Sequence, residues 1–203
     1  MREIIEGIMT WSWFSEPHGY NFNGHLVRDP GGNICIDPVV PSEDDLEEII
    51  REGVSRIILT NRNHSRAANL IRSRTGAQTT IHTDDADHAR AQDTHIDNTL
   101  TVGDRIGSLE VVGAAGKSPG EAALYWRERG ILIVGDAVIG NPPGRCGLLP
   151  DRVIDDPARL RSSLYAFLDI DFTTLLVGDG ESILMDAKAR LKDLTDTFPG
   201  SIQ

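Results

Sequence analysis

"RIILTNRNHSRAANLI", residues 56–71, decides how this chain is read. It opens on a short apolar run, as expected of a strand covered on both faces. It closes on residues that continue into a helix, "RAANLIRSRTG", ending at Gly76. Between the two stand Thr60, Asn61, Asn63, His64, Ser65 and Arg66. Polar groups crowded at the end of a buried strand usually hold something, and the question is what this set holds.

Upstream, "ICIDPVV" (34–40) reads as a strand, and Ser42 is placed to cap the helix that follows it. The first turn of that helix, "EDDLEEIIREG" (43–53), is acidic, which suits the helix dipole. Leu46, Ile49 and Ile50 form its inward stripe and Gly53 ends it. Farther back, "EIIEGIMTWSWF" and "GHLVRD" carry β-branched and aromatic residues, and "DPGGN" supplies a turn. Downstream come a strand at "AQTTIHT" and a helix at "DDADHARAQ". The second half begins with a meander, "TLTVGDRIG", "SLEVVGAAG", "EAALYWRE" and "GILIVGDAVI". It closes with a helix at "DPARLRSSLYAFLDI", a strand at "TTLLVGDG" and a last helix from Ser182 to about Phe198. No Ser/Gly-rich linker divides the halves, which predicts two sheets packed in a single domain over residues 1–203 with helices outside.

Composition narrows the function. A net charge of -11 opposes binding to nucleic acid or to an anionic membrane, because phosphates would be repelled. No segment approaches the roughly 20 apolar residues of a membrane span. Two cysteines, Cys35 and Cys146, are too few for a disulfide framework, and the N-terminus lacks a signal-peptide pattern. The expected setting is reducing and cytoplasmic.

Three features line up along the chain: the polar cluster at 60–66, the glycine-bounded "AGKSPGE" loop, and two strands ending in "VGDA" and "VGDG". Together they resemble the metallo-β-lactamase superfamily over nearly the whole length. The family pattern is Thr-His-x-His-x-Asp-His, Pro-Gly-His-Thr-Pro-Gly, Gly-Asp and Gly-His-Gly. Here those places read Thr60-Asn61-Arg62-Asn63-His64-Ser65-Arg66, Ala115-Gly116-Lys117-Ser118-Pro119-Gly120, Gly135-Asp136 and Gly178-Asp179-Gly180. The resemblance implies an α/β fold, a four-layer αβ/βα sandwich with the site at the edge of both sheets.

The scaffold motifs match and the ligands do not. Of the ligand positions only Asp136 keeps its residue type. Asn61 and Asn63 stand in place of imidazoles, Ser65 in place of a carboxylate, Arg66 and Lys117 in place of two more histidines, and Asp179 in place of the last. A zinc hydrolase needs His nitrogen or Cys sulfur around the ion and an open position for an acidified water. Two cations at such a centre oppose a dication, by several kcal/mol each at about 4 Å.

The same residues make sense as metal substitutes. Lys117 and Arg66 balance Asp136 and Asp179, while Asn61 and Asn63 donate and accept around them. The expected function is therefore a family member with an ion-pair network in place of the dinuclear site. It would lack zinc-dependent hydrolysis, hold no cofactor, and bind a polar or anionic small molecule or a partner. The alternative is an ester or phosphoester hydrolase using one oxygen-ligated Mg²⁺ or Mn²⁺ on Asp136 and Asp179, with Asn61, Asn63 and His64 as further ligands. Metal-free catalysis by Lys117, or by Ser65 beside His64, is a third reading; no catalytic residue is assigned.

His64 falls at a family position that is not a ligand, and the plain reading is a loop histidine satisfied by backbone. Arg145, on the stiff loop "GDAVIGNPPGRCGLLPD", is either a contact for an anionic ligand or a solvated side chain. Trp11 and Trp13 share one strand face and would line a pocket, pack in the core or form a subunit contact, so a homodimer is allowed for.

Overall fold

The computed structural model describes residues 1–199 and divides into two compact units, Met1–Thr101 and the part from Val102 onward. The first unit is a seven-stranded sheet in sequence order: β1 (Arg2–Ile5), β2 (Ile8–Ser15), β3 (Tyr20–Val27), β4 (Ile34–Ile36), β5 (Arg56–Leu59), β6 (Gln78–His82) and β7 (Asn98–Leu100). The pairings from β1 to β4 are antiparallel and those from β4 to β7 are parallel. Parallel neighbours need long crossovers. These are supplied by α1 (Glu43–Glu52), α2 (Ala68–Thr75) and α3 (Thr83–Ala91).

Local chemistry explains the elements. The Ser42 hydroxyl accepts from the Asp45 N–H at the start of α1, and Gly53 closes the helix at φ 76°. Arg72 grips Asp97 with two hydrogen bonds of 3.0 and 2.8 Å, and Asp97 also accepts from the Thr79 N–H at 2.8 Å. That guanidinium, offset in part by burial, holds the Asp97 carboxyl well below the usual carboxylate range. Leu26, Cys35, Ile49, Ile57, Leu59, Ile71 and Ile81 form the core of this unit. Trp11 lies in it too, packed so closely over Gly24 that a Cβ there would come within 2.5 Å of the indole.

The second unit is a five-stranded sheet of order β12-β11-β10-β9-β8, built from β8 (Arg105–Ile106), β9 (Leu109–Gly113), β10 (Ala122–Trp126), β11 (Ile131–Val134) and β12 (Thr174–Val177). β8 to β11 are antiparallel, whereas β11 and β12 run parallel. α4 (Pro157–Phe167) makes that crossover and α5 (Ala187–Thr195) follows. Leu132, Val134, Leu160, Leu164, Phe167, Leu175, Val177 and Leu191 pack its core.

Two expected boundaries move. The segment "TLTVGDRIG" is not one meander strand: Thr99 and Leu100 pair with β6 in the first sheet, and only Arg105–Ile106 joins the second. The last helix begins at Ala187 and not at Ser182. The Ser182 hydroxyl instead accepts from the Val177 N–H, and Ile183 exchanges two 2.8 Å backbone hydrogen bonds with Leu175. This stretch therefore returns along β12 before the helix starts.

Candidate functional site

In the first unit the polar residues gather where β4 and β5 end. Asp37 follows β4 in a left-handed backbone conformation (φ 48°), uncommon outside glycine and sustained only where surrounding bonds fix it. Its Oδ1 accepts from the Thr60 N–H at 2.8 Å and its Oδ2 from the Thr60 hydroxyl at 2.6 Å. His64 Nδ1 lies 2.8 Å from the same Oδ2, which places the imidazole proton on that nitrogen as donor. Asp37, Thr60 and His64 are all buried.

His64 Nδ1 is thus held by a carboxylate. The signal that could have found this is Asp37 in "ICIDP", since a carboxylate just after a neighbouring parallel strand sits beside the end of β5.

The residues around it divide. Asn61 is buried, and its side-chain oxygen accepts from the Asn63 N–H at 2.8 Å, a turn that shapes the loop. Asn63 itself is exposed, while Ser65 and Arg66 are half-buried. The Ser65 carbonyl accepts from Ala68 at 2.7 Å, opening the turn into α2. The Arg66 guanidinium stacks 4.3 Å over the Phe22 ring.

In the second unit the loop after β9 and the ends of β11 and β12 carry the polar groups. The parallel register pairs Val134 with Val177, so Asp136 and Asp179 each stand two residues past the same level on adjacent strands. Lys117 Nζ lies 3.4 Å from Asp136 Oδ2, with both side chains nearly buried. The loop that carries Lys117 is pinned to α4: Asp156 N–H donates to the Gly116 carbonyl at 2.8 Å, and the Ser163 hydroxyl donates to the Ala115 carbonyl at 2.8 Å. At Gly116 (φ 151°) a Cβ would meet the Leu160 backbone at 2.4 Å, which is why this place requires glycine.

Asp179 is set by backbone. Gly140 N–H donates to its carbonyl at 2.8 Å and Glu181 N–H donates to the Gly140 carbonyl at 2.9 Å. Arg145 is exposed, on the loop that begins after Gly140. Trp11 is buried, with its indole N–H donating to the Val39 carbonyl at 2.9 Å, whereas Trp13 is 47% exposed against Phe22.

A sequence model of the metallo-β-lactamase superfamily matches residues 5–198. The chain belongs to the metallo-β-lactamase superfamily. Solved structures agree on the fold. The metallo-β-lactamase DIM-1, exposed to ceftazidime, superposes with a TM-score of 0.77 at 17% identity, covering 97% of this chain and 95% of that one. A metallo-β-lactamase family protein from Thermus thermophilus gives a TM-score of 0.72 at 17% identity, over 95% of this chain and 79% of that chain. TTHA1623, in a di-iron-bound form, gives 0.70 at 24% identity, over 89% and 98%. No curated protein matches by sequence. The mixed α/β fold, with two sheets and five α-helices among the described residues, is therefore the one expected from the motifs. No helix among the described residues is long and apolar enough to cross a membrane.

The donor set does not fit the dinuclear zinc centre that the family's motifs imply. The two amides that replace imidazoles are poor zinc ligands, and one of them, Asn63, is exposed. The ammonium of Lys117 sits on Asp136, the one ligand position that keeps its residue type.

Proposed function

We propose that this chain is a metallo-β-lactamase-fold protein in which a polar, ion-paired arrangement stands at the family's metal-binding positions. On this reading it is a pseudoenzyme for zinc-dependent hydrolysis, and its cleft takes a polar or anionic small molecule. The observation that carries the reading is the Lys117–Asp136 pair at 3.4 Å. A protein ammonium there supplies the positive charge that a metal would otherwise bring to a buried carboxylate. In the second unit Asp179 stands on the strand next to that of Asp136; in the first, Asn61, Asn63, Ser65 and Arg66 add polar groups beside His64, which Asp37 holds. The acidic charge and the two free cysteines support a cytoplasmic setting.

A second reading has its own support. In the second unit Asp136 and Asp179, two residues past the same level on adjacent parallel strands, offer two carboxylates to a divalent ion. Oxygen-rich sets of this kind suit Mg²⁺, Mn²⁺ or iron better than a thiolate-type site does. On that reading the protein is an ester or phosphoester hydrolase. Elemental analysis after incubation with Zn²⁺, Mn²⁺, Fe²⁺ or Mg²⁺ separates the two. The first reading expects near-zero occupancy, with uptake appearing in a Lys117→His variant. About one ion per wild-type chain, lost in Asp136→Asn, would overturn it in favour of the second.

A further inference from the structure

The second unit contains a cavity of about 380 Å³ between the loop after β11 and α5, lined by Arg145, Cys146, Arg190, Asp193, Leu194 and Thr197. Its size falls within the roughly 300–1,000 Å³ of small-molecule sites. We propose that this cavity is a binding site for a small amino-carboxylate, an α-amino dicarboxylate by charge, held by Arg145 and Arg190 at its acid groups and by Asp193 at its ammonium.

Two guanidiniums line one cavity in a protein of net charge -11. Each offers a planar fork suited to a carboxylate. Arg190 now faces Asp193 at 3.4 Å, in a pair whose side chains are 49% and 69% exposed. An exposed pair of this kind is worth little, so a ligand carboxylate can take over the guanidinium at low cost.

The remaining polar groups accept. The Thr197 hydroxyl donates its proton to the Leu194 carbonyl at 2.7 Å, so it presents only lone pairs elsewhere. Asp193 adds a carboxylate, and the C-terminal end of α5 favours a cation through its last carbonyls. A simple anion such as phosphate would satisfy the arginines and meet repulsion from Asp193 and the helix end. A ligand with an ammonium and two carboxylates matches both halves: its charges of -2 and +1 oppose the +2 and -1 of the lining.

Leu194 supplies an apolar wall for the connecting methylenes. Cys146 is buried, and desolvation pushes its thiol up to about 12, with Asp193 adding to the rise. It lines the cavity as a neutral thiol and not as a nucleophile.

Isothermal titration of the full chain with L-glutamate tests this. The expected result is saturable binding of one molecule per chain, weakened about tenfold or more in Arg145→Ala and in Arg190→Ala. Glutarate, which keeps both carboxylates at the same spacing and lacks the ammonium, and inorganic phosphate should each bind at least about tenfold more weakly than glutamate. Both arginines are surface residues, and an unchanged unfolding transition confirms that the variants fold; Arg190→Lys, which keeps the charge without the fork, should bind between wild type and Arg190→Ala. No saturable binding of glutamate would overturn the proposal. So would binding kept in both alanine variants, or glutarate binding as tightly as glutamate.

Discussion

The polar ends of the two units hold a buried carboxylate in opposite ways. Asp37, in the first, is satisfied by hydrogen-bond donors: a backbone N–H, a hydroxyl and an imidazole. Asp136, in the second, faces the full charge of Lys117. Donors fix a geometry, because each has a direction and a length. A point charge on a flexible stem fixes a balance of charge and leaves the geometry looser. The first end is therefore the scaffold for a precisely aimed His64, and the second is the place where a change of charge alters what can bind.

The largest effect expected from this contrast follows Asp37→Ala. It leaves three buried donors without their acceptor, and unfolding by denaturant should show a loss of about 4 kcal/mol. Asp37→Asn, which keeps the left-handed backbone tolerable, should cost less, and a loss equal to that of alanine would place the effect in the backbone instead. Next comes Lys117→Met, which takes the ammonium from Asp136 and should cost about 3 kcal/mol in the same measurement. Pairing it with Asp136→Leu should recover most of that loss; no recovery would mean that the ammonium matters for something other than Asp136.

Thr60→Val removes one donor and keeps the shape, for about 1.5 kcal/mol. A value near that for Asp37→Ala would break the picture of three separate donors. Away from both ends, Ser42→Ala should cost about 1 kcal/mol through the lost cap of α1.

The smallest effect is seen only against pH. Asp97 is depressed below its unfolded value of 3.8 chiefly by its bond to Arg72. A carboxyl lowered in the folded state contributes stability above the unfolded value and loses it as pH falls through the folded one. The stability gap between wild type and Arg72→Ala should thus be full above about pH 5 and shrink below about pH 4. A gap independent of pH would remove Asp97 as its cause.

Much of this was legible beforehand, and the reasons are physical. Ser42, its acidic first turn and Gly53 announce α1 by local capping, and "RIIL" announces β5 by apolar run length. The family's fold could be read because its glycines mark backbone places, such as Gly116 against Leu160, that tolerate nothing else. What was not legible depends on distance along the chain. Asp37 and His64 stand 27 residues apart, and no local pattern says that one ring nitrogen is bound to that carboxylate. Ser182 has the look of a helix cap, yet the sheet claims its hydroxyl and the following backbone first.

The β2–β3 hairpin gives the molecule an optical reporter of its own. Trp13 packs against Phe22 with ring centroids 5.7 Å apart, and Phe22 carries Arg66 on its ring. Trp11 is sealed in the core, in the same cluster as Phe22, and Trp126 lies under the Arg129 guanidinium. Any molecule that draws Arg66 off Phe22 changes the surroundings of the exposed indole. The emission of Trp13, isolated by Trp11→Phe and Trp126→Phe replacements, would follow such an arrival in real time without a label.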